Sequence, residues 1–172
     1  MLSIVVPVFN EEKNISIFLE RILPILNKLD KYEIIFCLDP SNDNTETLIK
    51  DNIKLNNNIK LIKFSRRFKQ SSAILAGIEN CSGDYCVIID VDLQDPPELV
   101  ENMYHKIKQG YDCVFAQRVK KIGENFFRLL IIKIFYLITN LFSDVNIPRN
   151  VGEFRIISRR MINHIKIYGR YN

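Results

Sequence analysis

Five short runs of β-branched and other apolar residues, each followed by a longer polar or amphipathic stretch, constrain this chain more than any other feature. The runs are Leu2–Phe9, Tyr32–Leu38, Ile59–Phe64, Asp84–Asp90 (built around Tyr85–Ile89) and Cys113–Ala116. Apolar runs of this length bounded by polar residues read as buried strands. Between them, Glu12 to about Leu29, Thr45–Leu55, Lys69–Asn80 and Pro97 to about Lys108 carry helical patterning. Pro24 should disturb the first helix, because proline has no backbone N–H to give. Ser41 or Asp43 is expected to cap the second, and Asn56–Asn58 to form a loop. Strand–helix alternation predicts an α/β fold with a mostly parallel sheet flanked by helices on both faces.

A chain of 172 residues with 47% apolar residues can build one domain with a sizeable core. A net charge of only +4 excludes disorder as the main state, and 6 Gly with 6 Pro exclude a collagen-like or low-complexity chain. There is no uncharged apolar run of the roughly 18 residues that a clean membrane span needs. No basic segment precedes an apolar stretch at the start, so a secretion signal is not expected. Cys37, Cys81, Cys86 and Cys113 include no C-x-x-C pair, and His105 and His164 lie far from them in sequence. Neither zinc nor a disulfide framework is expected; reduced, buried thiols of a cytosolic protein are.

The charge is segregated. Residues 1–60 carry net −2, residues 61–70 net +4, residues 71–117 net −6 and residues 118–172 net +8. A basic final third fits either an anionic partner or a solvated basic face. Within it, Glu124–Phe142 is a strongly apolar helix candidate. Asn125, Arg128, Lys133, Thr139 and Asn140 share one sector, interrupted by Leu129, Ile132 and Tyr136, and the opposite half is continuously apolar from Phe126 and Phe127 through Leu130, Ile131, Ile134, Phe135, Leu137 and Ile138 to Leu141 and Phe142. Such a helix is either part of a core or lies in a membrane interface with its cations near headgroups.

Ligands of open α/β sheets bind beyond the carboxyl ends of the strands. Carboxylates recur there: Glu11 after the first run, Asp39 and Asp43 after the second, and Asp90-Val91-Asp92-Leu93-Gln94-Asp95-Pro96-Pro97-Glu98 after the fourth. Asp90, Asp92 and Gln94 are spaced by two, so in an extended segment they point one way, neighbours about 6.6 Å apart. Two carboxylates held so close repel unless a cation lies between them. Mg²⁺ or Mn²⁺ suits such a pair, with Gln94 adding a neutral oxygen. Asp95 then reads as a helix cap, Pro97 as a first-turn residue and Glu98 as a capping-box partner. G-x-G-x-x-G and G-K-[ST] are both absent, which excludes Rossmann oxidoreductase and P-loop readings. No nucleic-acid-binding motif accompanies the basic residues, so nucleic acid is not an expected partner.

Val6-Pro7-Val8-Phe9-Asn10-Glu11-Glu12, Asp39-x-Ser41-x-Asp43-x-Thr45, Gly83-Asp84 and the Asp90–Glu98 segment together resemble the inverting family 2 glycosyltransferases of the GT-A fold. Gly152-Glu153-Phe154-Arg155 further resembles the Gly-Asp-Phe-Arg motif of polyprenyl-phosphate and dolichyl-phosphate sugar transferases, the subgroup most similar overall. The resemblance runs from Leu2 to about Arg160. It implies transfer of a sugar from a UDP- or GDP-linked donor to a polyprenyl phosphate, dependent on Mg²⁺ or Mn²⁺. Pro7, Phe9, Glu11, Cys37, Asp39, Asp90, Val91 and Asp92 fall on positions that hold the nucleotide sugar. Asp90, Asp92 and Gln94 fall on metal positions. Asp92, Arg118 and Glu153 fall on catalytic ones. Arg118 and Arg155, with Arg128 and Lys133, would guide the acceptor phosphate. The implied location is the cytoplasmic face of the membrane, peripherally bound, which favours the interfacial reading of Glu124–Phe142.

The expected organisation is a nucleotide-sugar-binding core over residues 1–118 and a basic, acceptor-facing part of the same domain over 119–172. Subgroup members commonly continue into membrane-spanning helices. A C-terminal truncation is therefore expected, or reliance on a membrane subunit or homo-oligomer. Some positions differ from the subgroup. Leu38 stands for an Asp and Pro40 for a Gly in Asp-Asp-Gly-Ser, Arg67 and Lys69 change Ser-Arg-Asn-x-Gly, and Glu153 replaces Asp. Two other readings stay open: a non-catalytic nucleotide-sugar-binding module that docks on membranes, and a family 2 transferase with a glycan acceptor.

Overall fold

The computed structural model describes residues 1–29, 31–117 and 151–168. The chain divides into two compact units, one of Met1–Phe115 with Glu153–Asn172 and one of Ala116–Gly152. The described strands and helices belong to the first unit, apart from the strand ends that run into the second. The Glu124–Phe142 helix candidate, Arg118, Arg128 and Lys133 lie outside the described residues. No helix among the described residues is long and apolar enough to cross a membrane.

In chain order the elements are β1 (Leu2–Val8), α1 (Ile15–Leu26), β2 (Tyr32–Leu38), α2 (Thr45–Leu55), β3 (Ile59–Lys63), α3 (Lys69–Asn80) and β4 (Tyr85–Ile88). Then come α4 (Leu99–Ile107), β5 (Cys113–Gln117), β6 (Val151–Ser158) and α5 (Arg159–Tyr168). The sheet order is β3-β2-β1-β4-β6-β5. β1 pairs in parallel with β2 and β4, and β2 with β3, whereas β6 runs antiparallel to β4. The predicted mostly parallel α/β architecture is therefore present, and the pattern of apolar runs does not reveal the reversal of β6 against β4.

All seven residues of β1 and of β2 are buried, as strands covered on both faces must be. Successive side chains alternate between the faces. Phe36 meets Phe18 of α1 edge-on, with ring centroids 6.3 Å apart, while Ile35 and Cys37 pack with Ala73, Ile74 and Ile78 of α3 and Ile162 of α5. Tyr85 likewise meets Tyr104 of α4 at 5.7 Å. Helix α1 begins three residues later than expected and accommodates Pro24 inside its last turn.

Helix α3 approaches the sheet closely at Gly77. A Cβ built on Gly77 would sit 2.3 Å from Val5 Cγ1 and 3.0 Å from Cys37 Sγ. Val5 is β-branched and fully buried, so it has little room to turn away. Gly77→Ala should therefore destabilise the fold by about 1–2 kcal/mol, the overpacking cost exceeding the helix-propensity gain. A lowered urea midpoint at unchanged m-value would check this.

Candidate active site

The loops after β1, β2 and β4 and the start of α3 enclose a cavity of about 440 Å³ at the carboxyl edge of the sheet. Pro7, Phe9, Glu11, Asp39, Asp90, Val91 and Asp92, all singled out from the sequence, line it. Cys37 and Gln94 do not. The Cys37 thiol is fully buried in the apolar cluster under α3, where burial pushes its pKa up to about 12. Gln94 is exposed and meets Asp92 through its backbone N–H, which donates to Asp92 Oδ1 at 3.0 Å.

The Asp90–Glu98 segment differs from its expected form. β4 stops at Ile88, Val91 and Asp92 form a turn, and Leu93 takes a φ of +63°. A left-handed residue ends any extended run, so Asp90, Asp92 and Gln94 do not share one strand face. The helix also starts later: Glu98, not Asp95, occupies the N-cap position of α4. Glu98 makes no capping bond; its two oxygens accept from Arg21 Nε at 2.9 Å and Nη2 at 2.7 Å.

What holds Asp90 comes from elsewhere in the chain. Gln70 Nε2, in the first turn of α3, donates to both Asp90 oxygens at 2.8 and 3.0 Å. Nothing in the local pattern marks Gln70; only the close seating of α3 brings it there. On the other side, Ile88 pairs with Arg155 in the antiparallel register, and the charge of Glu153, on the same strand, acts on Asp90. Glu153 and Arg155 form an ion pair at 3.2 Å. Burial raises the Asp90 carboxyl above its ordinary value, and the negative charges of Asp92, Asp95 and Glu153 push in the same direction. Among the described residues neither Asp90 nor Asp92 forms an ion pair.

The other carboxylates at this edge divide by use. Asp43 Oδ1 accepts from the Thr45 hydroxyl at 2.6 Å and backbone N–H at 3.1 Å, and its Oδ2 from the Glu12 N–H at 3.1 Å. Burial alone would raise the Asp43 carboxyl; these hydrogen bonds hold it below the usual range. Glu12 returns the bond by accepting from Asn44, and Ser41 Oγ accepts from the N–H of Asn10, a residue at φ +56°. Ser41, Asp43, Thr45 and Glu12 thus clamp the loops after β1 and β2 together. Asp39 is 4% exposed, and its two oxygens accept from the N–H groups of Phe68 and Lys69 at 3.0 and 2.9 Å. It caps α3 while still forming part of the cavity wall.

The glycosyl transferase family 2 profile matches residues 3–166. The chain belongs to that family. An uncharacterised glycosyltransferase of Synechocystis is 39% identical over 166 residues, spanning 96% of this family 2 chain and 52% of the relative. The bactoprenol glucosyl transferase of Shigella phage SfV is 35% identical over 173 residues, spanning 99% and 56%. This family 2 chain spans about half the length of the curated relatives it matches. Glucosyl-3-phosphoglycerate synthase of Mycobacterium tuberculosis, solved with UDP, superposes with a TM-score of 0.67 at 20% identity, over 94% of this chain and 57% of that one. The same enzyme solved with Mn²⁺, UDP and glucosyl-3-phosphoglycerate gives 0.66 at 20% identity, over 94% and 57%. The expected GT-A fold is therefore present.

The donor set at the end of β4 fits a hard divalent cation. Asp90 and Asp92 offer only oxygen ligands, one half-buried and one exposed, and neither forms an ion pair among the described residues. If Gln70 orients Asp90 for this purpose, Gln70→Ala should weaken Mn²⁺-dependent nucleoside diphosphate binding by about tenfold, the usual effect of losing a partner of a metal ligand. Calorimetric titration with and without EDTA reads that difference.

Proposed function

We propose that this chain acts as a metal-dependent inverting glycosyltransferase that moves a sugar from a nucleoside diphosphate sugar to a polyprenyl phosphate. The observation that carries the reading is Asp90 and Asp92, without an ion-pair partner among the described residues, on the wall of a cavity at the carboxyl edge of the sheet. Support for the acceptor comes from the relatives named bactoprenol glucosyl transferases.

Asp90 and Asp92 would hold Mg²⁺ or Mn²⁺, which when bound supplies positive charge where the diphosphate leaving group becomes more negative. Pro7, Phe9, Glu11, Asp39 and Val91 shape the space for the nucleotide. Cys37 and Gln94 take no part in this assignment, since the thiol faces the core and Gln94 contributes a backbone bond to Asp92. Glu153, whose charge acts on Asp90, and Arg155, its ion-pair partner, would face the reacting groups. A lipid phosphate is ionised near neutral pH, so it needs cationic guidance more than a strong general base. Arg118, Arg128, Lys133 and Arg155 would give that guidance, with the +8 of residues 118–172 favouring a membrane surface.

The test is incubation of the chain with Mn²⁺, a panel of labelled nucleotide sugars and a short polyprenyl phosphate, followed by extraction of lipid. Labelled lipid from one donor is the expected result. Metal-dependent nucleotide binding without transfer to any acceptor would replace this reading with a non-catalytic donor-binding module.

A further inference from the structure

Two cations in the cavity wall belong neither to the metal site nor to the acceptor side. The segment between β3 and α3 carries Arg66, Arg67 and Lys69. Arg66 has a structural use: its guanidinium carbon lies 4.8 Å from the centroid of Phe68, whose ring packs on Phe64 at 5.5 Å. Arg67 turns the other way. It reaches from the β3 side of the sheet to the end of β1, where its guanidinium carbon lies 4.0 Å from the Phe9 ring centroid. Stacking of this kind holds a cation in place without neutralising it.

Lys69 is held differently. Its φ of +68° is a left-handed backbone that a side chain makes costly, and its N–H is bound by Asp39. Both Arg67 and Lys69 line the cavity together with the carboxylates of Glu11, Asp39, Asp90 and Asp92. Yet among the described residues neither cation forms an ion pair, and the Asp39 oxygens go to backbone N–H groups instead.

We propose that Arg67 and Lys69 form a cationic clamp for the diphosphate of the nucleotide donor, with Arg67 fixed in position by Phe9. The clamp rests on the donor reading of the cavity and assigns residues that the donor reading leaves without a role. A nucleobase and a ribose are neutral and call for no cation, whereas a diphosphate carries at least two negative charges. The guanidinium fork matches phosphate oxygens in pairs, and an ammonium serves them as a compact charge. The side chains must do this work, because Asp39 already occupies the N–H groups of Phe68 and Lys69. The clamp also explains how the donor diphosphate tolerates a cavity with four carboxylates in its wall.

The test is calorimetric titration of the 172-residue chain in EDTA, and again in Mn²⁺, with UDP, GDP, ADP, CDP and dTDP, each compared with its own nucleoside. In EDTA the wild type should bind one diphosphate at least about tenfold more tightly than its nucleoside. Arg67→Gln and Lys69→Gly should each cut that preference several-fold, and the double variant should abolish it, with nucleoside affinity unchanged. Arg67→Lys, which keeps the charge and loses the fork, should fall between. Both positions are exposed, and glycine relaxes the backbone at 69, so melting curves should match or exceed wild type. Diphosphate and nucleoside affinity falling together would assign these residues to the base or the loop and overturn the clamp. Unchanged affinities would overturn it as well. A wild type that binds no nucleoside diphosphate in either condition would overturn the donor reading itself, and the clamp with it.

Discussion

Replacing Asp92 by Asn should lower sugar transfer to polyprenyl phosphate by at least about a hundredfold and leave the melting temperature within about 2 °C of wild type. The two halves of that expectation have separate causes. Asp92 is exposed, and among the described residues its Oδ1 accepts from the Gln94 N–H, which Asn can satisfy equally well. What Asn lacks is the charge that a bound cation and the departing diphosphate require. Asp90→Asn should lose as much activity but raise the stability of the metal-free fold. The Asp90 carboxyl is held above its ordinary value by burial and by neighbouring negative charge. Its ionised form therefore costs stability, and that cost appears as pH rises from the unfolded value through the folded one. An uncharged Asn avoids it, so at neutral pH the metal-free variant should melt above wild type. A labelled-lipid assay and a thermal scan on both variants test the pair. Substantial transfer by either variant would remove these residues from the chemistry.

Glu33→Ala should destabilise the fold by about 3 kcal/mol with no direct effect on the cavity. Glu33 sits on β2 at the opposite end of the sheet from the ligands and is 1% exposed. Its Oε1 accepts from the Ser3 hydroxyl and the Ser82 N–H, both at 2.6 Å, and its Oε2 from Lys60 Nζ at 2.6 Å. Ser3 Oγ in turn accepts from the Gly83 N–H at 2.8 Å. Alanine would leave the buried Ser3 hydroxyl and the part-buried Ser82 N–H without this acceptor, which is where the figure arises. Lys60 is half exposed and adds little of its own. Burial by itself would raise the Glu33 carboxyl, but the bonds from Lys60, Ser3 and Ser82 outweigh it and hold the group below its ordinary value. A depressed carboxyl stabilises the fold fully above the unfolded value near 4.5, and that stability is lost as pH falls through the folded value. The difference between wild type and Glu33→Ala should therefore be largest near neutral pH and shrink below about pH 4.5, read as urea midpoints across a pH series.

The contrast between Asp39 and Asp90 shows how far single-sequence reasoning reaches into this site. Both satisfy the same rule, a carboxylate just past a buried strand, and both line the cavity. Asp39 has its oxygens engaged by the backbone N–H groups of Phe68 and Lys69, some thirty residues away, while among the described residues Asp90 is held by the Gln70 amide. Asp43 satisfies the rule too and is a clamp between two loops. Local pattern marks a carboxylate but not its partner, because the partner is set by chain folding.

By itself the sequence determined the strands and helices of the first two thirds. β2, α2 and α3 have the bounds that their apolar runs and periodicity predict. It determined the edge of the sheet at which ligands bind and the family to which the chain belongs. These features depend on neighbours within a few residues, which the pattern records directly. Only the tertiary structure decided that β6 lies between β4 and β5, antiparallel to β4, so that the charge of Glu153 acts on Asp90. It alone decided that Leu93 breaks the extended run, that Gln70 reaches Asp90, and that Arg67 crosses to Phe9. The contacts of Gln70, Arg67 and Glu153 join residues about twenty to seventy positions apart in the chain. Such contacts form because burying both faces of the sheet repays the entropy of closing long loops, and no local stretch of sequence carries that balance.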